Sequence, residues 1–160
     1  MVPTYSEDTG RLTELKYDRN RDGKVDTWAT MDGQRIVRVE IDEDGDGKVD
    51  RWEYYQPGTA PGVPGVLERV ERATRHDGRI SRREFLEAGR LVRIEEDTDG
   101  DGAIDKWETY KDGALAVMEL DTQHRGKCDR RLVYGRGGTL ERIEVDPDGS
   151  GQFRVVRQGR

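Results

Sequence analysis

Apolar residues in this 160-residue chain come singly, alternate with charged ones, and return at a fixed period. Val39 and Ile41 flank Glu40, and Met118 and Leu120 flank Glu119. Alternation of this kind marks a strand with one half-buried face. One recurring series is Leu12, Ile36, Leu67, Leu91, Leu115 and Leu140. A second, three residues further on, is Leu15, Val39, Val70, Ile94, Met118 and Ile143. A regular strand repeats every two residues, so a spacing of three predicts a bulge or bend between the two series. A third series is Val25, Val49, Ile80, Ile104, Cys128 and Phe153. All three read as a narrow strip of core. Gly-bounded runs rich in β-branched and aromatic residues, such as Val49–Tyr55 and Ile104–Tyr110, read as short strands, and Asp32-Gly33 and Asp112-Gly113 as hairpin turns. The expectation is an all-β fold: a repetitive antiparallel β-hairpin meander of about twelve short strands.

The polar positions repeat as regularly. The string Asp-x-Asp-x-Asp-Gly, aligned on its first place, begins at 18, 42, 73, 97, 121 and 146. The basic period is 24 residues, and the longer step from 42 to 73 holds a Pro/Gly-rich insertion at 56–65. Residues 1–17 supply half of one more repeat, so 1–160 reads as a single array with its acidic loops along one edge. Glycine closes the sixth place of every loop (Gly23, Gly47, Gly78, Gly102, Gly126 and Gly151). Sixteen of the nineteen aspartates fall at loop positions one, three, five or nine. The three tryptophans, Trp28, Trp52 and Trp107, all fall at position eleven of the three intact loops, those at 18, 42 and 97.

Composition then narrows the choice. Leu, Ile, Val and Phe make up only 31 residues, while 39% of the chain is charged with a net charge of −6. That balance suits either a disordered polyampholyte or a fold stabilised by something other than a large core. No apolar run is long enough for a transmembrane helix, and the acidic balance disfavours nucleic acid as a partner. The lone cysteine, Cys128, allows no intramolecular disulfide and stands where other repeats have Val or Ile. Met1 to Tyr5 show no basic stretch followed by an apolar one, so an export signal is not expected within these residues.

The loops carry the chemistry. Ca²⁺ takes six to eight hard oxygen ligands, and alternate residues of a tight loop turn theirs inward. Asp42, Asp44 and Asp46 precede Gly47 and, five residues on, Glu53; Asp97, Asp99 and Asp101 precede Gly102 and Glu108. Both runs satisfy D-x-[DN]-x-[DN]-G-x5-E. Position seven lends a backbone carbonyl, which leaves Lys24, Lys48 and Ala103 free to vary. The first loop has Asp18, Asn20, Asp22 and Asp26 but Ala29 at position twelve, so it binds less tightly. The loops at 73 and 121 lose carboxylates to Ala73, Arg75, Gln123 and Arg125 and are expected to be empty. The loop at 146 is partial, with Arg154 at position nine.

Residues 42–53 and 97–108 resemble EF-hand calcium loops. The spacing between loops leaves no room for paired helices, although 81–88 could hold a short EF-like exit helix. The strand-flanked form D-x-D-x-D-G-x-x-D resembles the FG-GAP and VCBS repeats of cell-surface proteins, and Gly10–Thr13 with Tyr17-Asp18 resembles YD-type hairpin repeats. The former resemblance implies ligands at positions one, three, five, seven and nine, the ninth being Asp26, Asp50 and Asp105. A helical exit would bring Glu53 and Glu108 to the ion, and a strand exit would turn them away.

The expected function is a calcium-binding structural or adhesion-type module with about three Ca²⁺ sites, secreted, periplasmic or on a cell surface. A protein or cell-surface partner and edge-mediated self-association are both compatible with it. The alternative is an EF-hand-like sensor or buffer. Catalysis is not expected: the only histidines, His76 and His124, lie in degraded loops, and no nucleophile elbow, P-loop or His-based zinc motif is present.

Overall fold

A computed structural model of the chain describes residues 1–58 and 64–158. It is all-β, with thirteen strands that pair in chain order as one antiparallel meander. They are β1 (Val2–Tyr5), β2 (Leu12–Tyr17), β3 (Thr27–Asp32), β4 (Arg35–Ile41), β5 (Arg51–Gln56), β6 (Val66–Arg72), β7 (Arg82–Glu87), β8 (Arg90–Glu96), β9 (Lys106–Lys111), β10 (Ala114–Leu120), β11 (Arg130–Tyr134), β12 (Leu140–Val145) and β13 (Arg154–Gln158). A 3-10 turn at Arg136–Gly138 is the one helical element among the described residues. Residues 82–87, where an exit helix had room, form β7 instead. Much of the insertion expected at 56–65, residues 59–63, lies outside the described residues.

The chain divides into two compact units, one of Met1–Ile80 with Leu86–Gly89 and one of Ser81–Phe85 with Arg90–Arg160. In the first, β2 to β5 pair successively, Leu15 opposite Ala29 and Val39 opposite Glu53. In the second, β8 to β13 do the same, with Ile94 opposite Glu108 and Met118 opposite Leu132. Bulges fall where the spacing of three predicts them. The register skips Thr13, Val37 and Glu68 in the first unit, and Ala116 and Glu141 in the second. Each extra residue lets both flanking apolar side chains return to one face.

The core departs from the expected strip. Val39, Val70 and Ile94 of the second series are buried, but the first series is half-buried, with Ile36 exposed. At position eight Val25 is exposed and the others are half-buried. The buried residue there is the next one, the aspartate at position nine: Asp26, Asp50, Asp105 and Asp129. Its carboxylate accepts backbone N–H groups inside its own loop, which removes the cost of burying it. Among the described residues, eight aspartates and two glutamates are buried against six apolar residues.

Charge pairs fill the strand faces. Arg82, Glu96, Lys106 and Glu108 link β7, β8 and β9 at 2.7–3.2 Å. Glu119, Arg131, Glu144 and Arg142 link β10, β11 and β12 at 2.6–3.3 Å. In the first unit the Tyr54 ring lies under the guanidinium groups of Arg38 and Arg69, 5.6 and 4.1 Å from its centroid, and its hydroxyl donates to Glu71 at 2.9 Å. The high charge of the chain thus supplies cross-strand pairs on a sheet with little apolar side-chain area.

Candidate metal centre

Every acidic loop joins an even-numbered strand to the following odd-numbered one. Its base is closed by the backbone: Asp26 donates to the Tyr17 carbonyl at 3.1 Å, Asp50 to Ile41 at 2.9 Å, and Asp105 to Glu96 at 3.1 Å. Inside, the side chains follow one code. The carboxylate at position one accepts N–H groups from positions four and six: Asp18 from Arg21 and Gly23, Asp42 from Gly45 and Gly47, Asp97 from Gly100 and Gly102, all at 2.6–3.0 Å. Position three caps position five: Asn20 for Asp22, Asp44 for Asp46, Asp99 for Asp101. Position five caps position seven, so the carboxylates of Asp22, Asp46 and Asp101 accept from the N–H groups of Lys24, Lys48 and Ala103.

The code demands left-handed backbone at positions four and six. Gly47 (φ 90°) and Gly102 (φ 94°) supply the sixth, and no Cβ clash would meet an alanine there. The constraint at these glycines is conformational rather than steric.

These hydrogen bonds gather like charges. The ligand oxygens of Asp42, Asp44 and Asp46 lie within 4.8 Å of one another, as do those of Asp97, Asp99 and Asp101, and either group could hold a metal ion. Positions one and nine form a buried floor, while Asp44 and Asp99 keep 41% and 44% of their side-chain surface open to an entering ion. Lys48 already places its ammonium 2.9 Å from Asp46. In the first loop Asn20 Nδ2 donates to Asp22 at 3.2 Å, an internal pairing that its all-acid counterparts lack. Burial raises the Asp26 carboxyl, but the hydroxyl of Thr27 and the N–H groups of Arg19 and Asn20 outweigh it, leaving the group below its ordinary value. Asp121 is held low in the same way by the N–H groups of Arg125, Gly126 and Lys127.

Glu53 and Glu108 do not join these groups. Both sit in strands and hold partners two residues away on the same face. Glu53 pairs with Arg51 and accepts from Tyr55 Oη at 2.5 Å; Glu108 pairs with Lys106 at 2.7 Å and accepts from Tyr110 Oη at 2.7 Å.

Two histidines do join. His76 Nδ1 lies 3.1 Å from Asp50 Oδ1 and 3.5 Å from Asp44 Oδ2. His124 Nδ1 lies 3.3 Å from Asp99 Oδ2 and groups with Asp99 and Asp105. Both stand in loops that have lost carboxylates of their own. The signal was there, since both occupy position four of the loop that follows a complete one.

No family model matches the chain, and no curated protein matches it. Among solved structures it is similar to one described as the crystal structure of accessory secretory protein 1,2 and 3 in Streptococcus pneumoniae, with 16% sequence identity and a TM-score of 0.46. The match covers 67% of this chain and 20% of that one, so the chain spans about a fifth of that structure's length.

Proposed function

We propose that this protein is a calcium-binding structural module, in which Ca²⁺ at the loops 18–26, 42–50 and 97–105 rigidifies the β array. The observation that carries this is the convergence of three carboxylates within 4.8 Å in the loops at 42 and 97, each prearranged by backbone N–H donors. Three carboxylates so close repel one another, and a hard divalent cation with oxygen ligands is the partner that relieves them. Strands flank each of these loops, so a sensor that works by opening a helix pair has no helices to open here. A module of this kind suits the calcium-rich space outside the cell, where such sites bind at ~10⁻⁴–10⁻³ M. Its role is non-catalytic, its partner a protein or a cell surface.

The test is calorimetric Ca²⁺ titration of chelator-stripped protein together with thermal melts. Ca²⁺ at a hundredfold excess over Kd adds about 2.7 kcal/mol per site to stability. A melt that ignores saturating Ca²⁺ and chelator alike overturns the proposal.

A further inference from the structure

Calcium does not account for the two histidines. Imidazole nitrogen is a poor ligand for Ca²⁺ and a good one for Zn²⁺ and its neighbours in the transition series. In the first unit, His76 reaches from the loop at 73 to carboxylates at positions three and nine of the loop at 42. In the second unit, His124 approaches the carboxylate at position three of the loop at 97 at 3.3 Å, with the carboxylate at position nine within 4.8 Å. The donor loops have lost the carboxylates for a cage of their own, with Ala73 and Arg75 in one and Gln123 and Arg125 in the other, yet each presents an imidazole at its fourth place. The loop at 18 is an internal contrast. The loop that follows it has Gly45 at that place, so no nitrogen is offered.

We propose that Asp44, Asp50 and His76, and separately Asp99, Asp105 and His124, form two mixed nitrogen–oxygen sites for a borderline divalent transition-metal ion, each shared between neighbouring loops. A tetrahedral Zn²⁺ with ligands at about 2.0–2.1 Å sets neighbouring ligand atoms about 3.3 Å apart. The nitrogen–oxygen separations of 3.1, 3.5 and 3.3 Å fall on that edge length. Asp50 and Asp105 are buried and form the floor, while His76 and His124 are half exposed and form the rim. The fourth position faces solvent and takes water. Because all four aspartates also belong to the oxygen cups, zinc and calcium compete at the loops at 42 and 97, and the loop at 18 stays with calcium alone.

The experiment uses the full chain, stripped with chelator and titrated with Zn²⁺ against a competing indicator, and in parallel with Co²⁺ followed by visible absorption. The expected result is two sites. His76→Asn weakens one and His124→Asn the other by at least about tenfold, the scale on which even indirect partners of a metal act. Asparagine is chosen because it tolerates the left-handed backbone found at His76 (φ 53°) and His124 (φ 51°). Unchanged β-sheet circular dichroism and an unchanged Ca²⁺ isotherm at the loop at 18 show that each variant is folded. Absence of zinc binding at submillimolar concentration overturns the proposal, as does a double variant that binds zinc as tightly as the parent. Loss of the calcium response with zinc binding intact would refute the calcium reading and leave this one standing.

Discussion

The backbone N–H of Asp42 donates to the carbonyl of Asp26 at 2.9 Å, so position one of one loop hangs from position nine of the loop before it. The link recurs from Ala73 to Asp50, Asp97 to Ser81, Asp121 to Asp105 and Asp146 to Asp129, at 2.7–2.8 Å. The residue at position nine therefore works twice. Its side chain ties its own loop, and its backbone carries the next.

Asp50→Ala tests the side-chain half of that role. The carboxylate is 2% exposed and accepts the Glu43 N–H at 2.9 Å. Without it the loop loses the hydrogen bond from Glu43, at a net cost of about 0.5–1.5 kcal/mol. The loss is expected in excess chelator as well as in Ca²⁺, read from urea midpoints. Equal midpoints in chelator would mean that the carboxylate serves an ion and nothing else.

Glu108→Gln separates strand chemistry from loop chemistry. Glu108 is buried, and the hydrogen bonds from Lys106 and Tyr110 outweigh that burial and hold its carboxyl below the ordinary value. Removing the charge is expected to cost about 1–2 kcal/mol of stability and to leave the Ca²⁺ isotherm of the loop at 97 in place. A collapse of calcium affinity at that loop would instead make Glu108 a ligand.

Arg21→Gly is expected to stabilise the protein. Arg21 occupies the left-handed fourth place (φ 64°), where neighbouring repeats have Gly45 and Gly100. An L side chain pays roughly 1 kcal/mol for that conformation, and Gly gives part of it back as a freer unfolded chain. A gain of a few tenths to about 1 kcal/mol in the denaturation midpoint is the expected reading. A loss would show that the Arg21 side chain makes a contact worth more than the strain.

Stability should fall at both ends of the pH scale for identifiable reasons. The hydrogen bond from Arg142, opposed by burial and helped by Arg131, lowers the Glu144 carboxyl. Its contribution is complete above the ordinary glutamate value of about 4.3 and is lost as pH falls through the lowered folded value. Glu144→Gln flattens that acid limb. At the other end, burial and a carboxylate partner push the hydroxyls of Tyr55 and Tyr110 up to about 12. Their contribution is present below the ordinary value of about 10 and is lost as pH rises through 12. Ultraviolet titration is expected to show late tyrosines that disappear in urea, with Tyr54, raised by burial and its Glu71 partner, beside Tyr55 and Tyr110.

The strand-and-loop plan was legible because its signals are local. Alternation around Glu40 and Glu119 gave strands, and the three-residue spacing from Leu12 to Leu15 and from Ile36 to Val39 gave bulges. Asp112 and Gly113 form the expected turn, both left-handed at φ 52° and 80°. What stayed hidden depends on neighbours in space. Val25 and Asp26 are adjacent, and hydropathy puts the valine inside; the loop's N–H donors put the aspartate there instead. His76 stands 26 residues from Asp50, in a loop with no cage of its own, and only pairing of successive repeats brings the two together.

A fold whose buried places go more often to carboxylates than to hydrocarbon has a calorimetric signature. Unfolding it wets little oil and much polar surface, and the two change heat capacity in opposite directions. The heat-capacity increment is therefore expected to fall below the usual ~12–15 cal/mol/K per residue. The stability curve is then broad and shallow, so warming and cooling change how firmly the molecule is folded only a little.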